Sequence, residues 1–152
     1  MIVSRRLGVA VLTLVFVVAL VYATPVQANK IVRWEYSVTM TAFPAPPPPQ
    51  PTLAGWVKGD GMDGDMYWVN TGRFFAGETI HLYGYWWIEW EDGSVIKGTH
   101  TAVWALSNNL LNARGVVTAA TPGYAHLIGR NIHTVEIFSM QTFSIGGIFQ
   151  IN

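Results

Sequence analysis

The chain has 152 residues, of which 51% are apolar and only 12% charged; nine Lys+Arg balance nine Asp+Glu, and there is no cysteine. Such a chain is not disordered, since disorder needs low hydrophobicity and high charge, and it lacks the basic excess of a nucleic-acid binder. Zero Cys removes disulfide scaffolds, thiolate zinc sites and Cys nucleophiles, and 15 Gly with 20 aromatic residues do not suit a coiled coil.

Arg5 and Arg6 precede an uncharged apolar run from Leu7 to Ala23. A basic flank, an apolar stretch and then small residues form the layout of a secretory signal. Two cleavage points satisfy a small-x-small rule, one after Ala23 and one after Ala28, and we favour the second because Pro25 crowds the first. The competing reading is a retained membrane anchor over residues 7–23, at the lower edge of the roughly 17–25 residues that a spanning helix needs. The domain plan is therefore a signal peptide over 1–28 and one domain over 29–152, secreted or else anchored. Loss of Arg5 and Arg6 leaves seven basic and nine acidic residues, a formal charge of −2.

From Lys30 onward β-branched and aromatic residues dominate, punctuated by Gly, Pro, Asn and Asp. The pattern predicts eight strands, over 31–42, 53–58, 65–71, 79–90, 95–106, 114–120, 130–141 and 144–151. In the first, Val32, Trp34, Tyr36, Val38 and Met40 share one face and Arg33, Glu35, Ser37 and Thr39 the other, the alternation of a half-buried strand. The proline run 46–49 reads as a stiff surface loop, because proline cannot donate to a ladder. A docking motif for a proline-binding partner is the other reading.

Asp92-Gly93 between two long apolar arms predicts a two-residue hairpin turn. That register sets Trp90 opposite Val95, Trp87 opposite Gly98, Tyr85 opposite His100 and His81 opposite Trp104. One face then carries His81, Tyr83, Tyr85 and Trp87 together with His100 and Trp104. Such a surface calls for a lumen, a subunit or a ligand. Long paired strands with few helices favour a closed or nearly closed antiparallel barrel, since an open sheet leaves aggregation-prone edges.

Residues 114–130, RGVVTAATPGYAHLIGR, carry Gly115, Ala120, Gly123 and Gly129 around a Pro-Gly turn. Thr121 is placed to cap a short helical turn started by Pro122, with Tyr124 and Leu127 directed into a barrel mouth. This segment resembles the late strands of the dirigent and allene oxide cyclase type of barrel, over strands five to seven. The resemblance implies an eight-stranded antiparallel barrel, often trimeric, whose relatives bind or guide apolar small molecules. No catalytic residue is carried over from it.

Asp60, Asp63 and Asp65 in GDGMDGD offer oxygen ligands for calcium, but their spacing is not that of an EF-hand and suits a turn better. Of the four histidines, His81 and His100 share a face in the predicted hairpin register but are not opposite each other, so no metal is assigned. Glu136 shares a face with Ile132, Phe138 and Met140 and is the best acid candidate, whereas Glu89 sits near a turn. Trp87 with Tyr85 and Tyr83 can form a flat platform for a sugar; Trp86 cannot join it, because neighbours in a strand point to opposite sides. No phosphate loop, nucleophile elbow or zinc-helix motif is present, and no cofactor is called for. Three functions follow: a non-enzymatic binding module for an apolar or aromatic small molecule; a self-associating extracellular protein using the aromatic hairpin face; or an isomerase or cyclase in the manner of the resembled barrels.

Overall fold

The alternating first segment becomes β1 (Val32–Met40) in the computed structural model, which describes residues 30–42 and 48–152. Seven more strands follow: β2 (Leu53–Gly59), β3 (Met62–Ala76), β4 (Thr79–Trp90), β5 (Val95–Ala105), β6 (Leu110–Ala120), β7 (Asn131–Ile137) and β8 (Ser144–Ile151). Each pairs antiparallel with its neighbours, and β8 returns to β1, closing an eight-stranded barrel in chain order. Closure removes the free edges that an open sheet would leave. The leader expected over 1–28 lies outside the described residues, as do residues 43–47 of the proline-rich loop. Among the described residues no helix is long and apolar enough to cross a membrane.

Two strands, β3 and β6, are several residues longer than the sequence pattern predicts. The turn before β3 is only Asp60-Gly61, with φ of 52° and 79°. Two consecutive positive φ values make the tight hairpin turn that matches strand twist, so the strand starts at Met62 and takes Asp63 and Asp65 with it. At its far end β3 runs on to Ala76 by way of a bulge at Thr71. β6 starts at Leu110, because Asn109 at φ 57° completes the preceding turn.

The Asp-Gly turn exists, but its register differs from the expected one. Trp90 N–H donates to Ser94 O and Gly93 N–H to Trp90 O, so three residues, Glu91 to Gly93, form the loop, with Gly93 at φ 83°. A turn followed by a left-handed glycine is the usual three-residue hairpin. The extra residue slides β5 by one place: Glu89 faces Val95, Trp86 faces Gly98, Gly84 faces His100 and His81 faces Val103. A one-residue slip moves every side chain of a strand to the other face. The mixed face built from His81, Tyr85, His100 and Trp104 therefore does not form. Trp86, Ile88, Trp90, Ile96, His100 and Ala102 are buried inside the barrel, and Lys97, Thr99 and Thr101 are exposed outside. The indole that covers Gly98 is Trp86, from the inside, not Trp87.

One end of the barrel is sealed. A 3-10 turn, Pro122–Leu127, follows β6 and inserts Leu127, which is fully buried. Tyr124 stacks on Trp90 and meets the edge of Trp34, each at a centroid distance of 6.0 Å. Thr121 occupies the cap position, but its hydroxyl makes no cap bond and accepts Val95 N–H instead, at 3.3 Å. Above this plug Phe149 fills the axis, parallel to Trp34 at 6.3 Å and edge-on to Trp86 at 4.9 Å. Aromatic rings thus fill the sealed half of the interior, Trp34, Trp86 and Phe149 being fully buried.

Candidate functional site

The opposite half of the barrel is hollow. A cavity of about 590 Å³ opens at the end where β1, β3, β5 and β7 finish. Its wall is mainly apolar: Leu53, Leu82, Trp104, Leu111, Phe138 and Ile145 supply most of it. Trp104 leans on Phe138 with ring centroids 4.7 Å apart. Small-molecule pockets have this size and this apolar character, with a few polar groups to orient the ligand.

Most of the polar groups come from β3: Asn70 by the regular alternation of the strand and Arg73 by a bulge, with Thr52 beside them just before β2. Asn70 pairs with Gly84 and Gly72 with Tyr83, leaving Thr71 unpaired. An extra residue inverts the alternation beyond it. Met66 and Trp68 point inward before the bulge; after it the inward positions pass to odd numbers, and Arg73, opposite Leu82, lines the cavity. Phe74 is sent outside, where it stacks on His81 at 4.5 Å.

Beneath the cavity are two buried polar pairs. His100 Nε2 lies 3.0 Å from Asn70 Oδ1, and the edge of the imidazole meets Trp68 at 4.5 Å. Burial lowers the His100 pKa from 6.5 to about 4, so the ring is neutral near pH 7. Its Nδ1 is buried without a partner. An unpaired lone pair is better tolerated in a core than an unpaired N–H, which assigns the proton to Nε2 and makes Asn70 Oδ1 the acceptor. In the second pair the Tyr36 hydroxyl donates to Glu136 Oε2 at 2.5 Å, and the Thr134 hydroxyl donates to Glu136 Oε1. Burial raises the Glu136 pKa and these two donors hold it down in part; burial, then the Glu136 charge, raises that of Tyr36 well above its usual value.

The residues singled out from sequence divide between two surfaces. His100 is interior and Trp104 is on the cavity wall. His81, Tyr83, Tyr85 and Trp87 alternate with the interior residues of β4 and lie on the outer wall, where Trp87 stacks on Tyr67 at 4.7 Å and on Tyr85 at 6.2 Å. Glu136 faces inward and is buried, but it is not among the residues that line the cavity. Asp60 accepts a hydrogen bond from the Trp34 indole at 3.1 Å, and Asp63 pairs with Lys58 at 3.7 Å. Among the described residues no three His, Asp or Glu side chains are grouped to hold a metal ion. Asn70 and Arg73 were not singled out from sequence. The one local sign of them is Gly72 inside a strand pattern, which marks a bulge.

Comparison with protein-family models, with curated proteins and with solved structures finds no match to this chain.

Proposed function

We propose that this is an exported barrel that binds an apolar or aromatic small molecule in the hollow half of its interior, without catalysing a reaction on it. The observation that carries the reading is the half-filled barrel: aromatic packing seals one end, and an apolar cavity of about 590 Å³ opens at the other. Apolar walls of that extent favour a ligand that leaves water. The likeness of residues 114–130 to dirigent and allene oxide cyclase barrels supports the same ligand class. The cyclase or isomerase reading needs an acid or base on the cavity wall, and neither Glu136 nor His100 lines it.

The test is a titration of the full chain with 1-aminoanthracene, a neutral fluorescent aromatic. Saturable enhancement, weakened about tenfold or more when Leu82→Trp fills the cavity, is the expected result. Enhancement that does not saturate, or that Leu82→Trp leaves unchanged, contradicts the reading.

A second reading, self-association, rests on the outer wall. Tyr67, Trp87 and Tyr85 form a continuous stack there, and Tyr83 beside them is 48% exposed. Contiguous aromatic surface of this kind is characteristic of subunit contacts. A trimer is the assembly implied by the resemblance.

A further inference from the structure

We propose that the cavity takes an amphiphile with an anionic head, its apolar body inward and its head at Arg73 and Asn70. This deepens the binding reading above and rests on it. Arg73 is the one charged side chain on the cavity wall among the described residues, and no carboxylate shares that wall. Its position is a consequence of the bulge: without Thr71 out of register, the alternation of β3 would bring Phe74 to the inner side and send Arg73 out. A bulge that exchanges a phenyl ring for a guanidinium at the mouth of an apolar cavity re-aims a side chain toward a ligand.

Asn70 adds a second donor. Its Oδ1 accepts from His100 Nε2, so its amide NH2 is the end left for a ligand. The assignment is fixed by the buried ring, whose other nitrogen has no partner. Thr52 Oγ1 accepts the Asn70 backbone N–H at 3.0 Å, which leaves its O–H as a donor. The Thr71 hydroxyl donates its proton to Tyr83 O at 3.1 Å and keeps only acceptor capacity. Trp104, also on the wall, keeps its indole N–H without a protein partner. The polar side of the cavity therefore offers mainly donors and a positive charge, which recognise carboxylate or sulfonate oxygens and discriminate against cations.

The experiment compares decanoate with decanol by calorimetric titration of the full chain, of Arg73→Gln and of Arg73→Lys, below micellar concentrations. Arg73 is exposed, so these variants keep the fold, which circular dichroism checks. Decanoate is expected to bind about tenfold or more tighter than decanol. Arg73→Gln should remove that advantage while leaving decanol affinity in place, and Arg73→Lys should restore part of it. Equal affinity of the two ligands for the natural chain, or no effect of Arg73→Gln, overturns the anionic-head inference and leaves the cavity reading standing. Failure of both ligands to bind overturns the two together.

Discussion

Asn70 of β3 and His100 of β5 meet 3.0 Å apart across Gly84 of the strand between them. Tyr36 of β1 and Glu136 of β7 meet in the same way near Gly147 of β8, whose Cβ position would fall 2.9 Å from Glu136 Cγ. Buried polar side chains need partners, and in a barrel the nearest partner one strand over is often apolar. A glycine in the intervening strand lets two polar groups reach past it. The two bridges separate the aromatic half of the interior from the hollow half.

Gly84→Ala should be severely destabilising. Its Cβ would lie 1.8 Å from Val69 O, so backbone must move. Overpacking of this kind costs about 1–3 kcal/mol, and more when backbone blocks the way. Gly123→Ala is the control, since nothing lies within 4 Å of its Cβ position. Urea denaturation should separate the two variants clearly, and equal midpoints would show that the strands do not approach as described.

Stability should depend on pH through His100. Its pKa in the folded chain is about 4 against 6.5 for the free group. Between those values the unfolded chain binds a proton that the folded chain does not, so the His100 contribution is complete above about pH 6.5 and is lost as pH falls to about 4. The size is on the order of 3 kcal/mol. Glu136 acts in the opposite sense. Its raised pKa makes the folded chain the better proton binder, so its contribution declines as pH rises above the ordinary 4.5. Comparison of the natural chain with His100→Gln isolates the histidine: the variant should lose less stability between about pH 7 and pH 4. Identical losses would contradict a buried neutral imidazole.

At the β4–β5 hairpin, Gly93 has φ 83° and open space around its Cβ position. Gly93→Val should then cost on the order of 1–2 kcal/mol through backbone conformation alone. An unchanged denaturation midpoint would mean that the loop does not hold a left-handed residue there.

The outer aromatic stack separates the self-associating reading from a free monomer. If subunits cover Tyr85 and Trp87, replacing both by Ser should release folded monomers from a larger species in sedimentation or light scattering. Both lie on the outer wall and neither is fully buried, so the fold should persist by circular dichroism. A natural chain that sediments as a monomer would defeat this reading without touching the cavity.

The barrel was legible in sequence because alternation, turn residues and strand length agree over most of the chain, as in β1, β4 and β8. Register was not. Asp92-Gly93 marks a hairpin whether its loop has two residues or three, and the single residue of difference decides whether His100 faces Tyr85 outside or Gly84 inside. The cavity's polar edge was hidden for a related reason: Thr71-Gly72 looks like the end of a strand, whereas the strand continues past it with its faces exchanged. Ile132 and Phe138 on its face left the direction of Glu136 open in sequence; Thr134 lies two residues away on the same strand, whereas its partner Tyr36 is brought to it by closure of β8 between β1 and β7. Such non-local neighbours have no short-range signal.

The binding claim is tested most directly by methyl NMR during titration with decanol. Ile80, Leu82, Leu111 and Ile145 line the cavity, whereas Ile88 and Ile96 lie in the packed core and Ile128 and Val135 are exposed at the surface. Saturable shifts confined to the methyl groups of the first four residues are the predicted result. Shifts centred on Ile128 and Val135, or no saturable shift at any of these methyl groups, would contradict a ligand-binding interior.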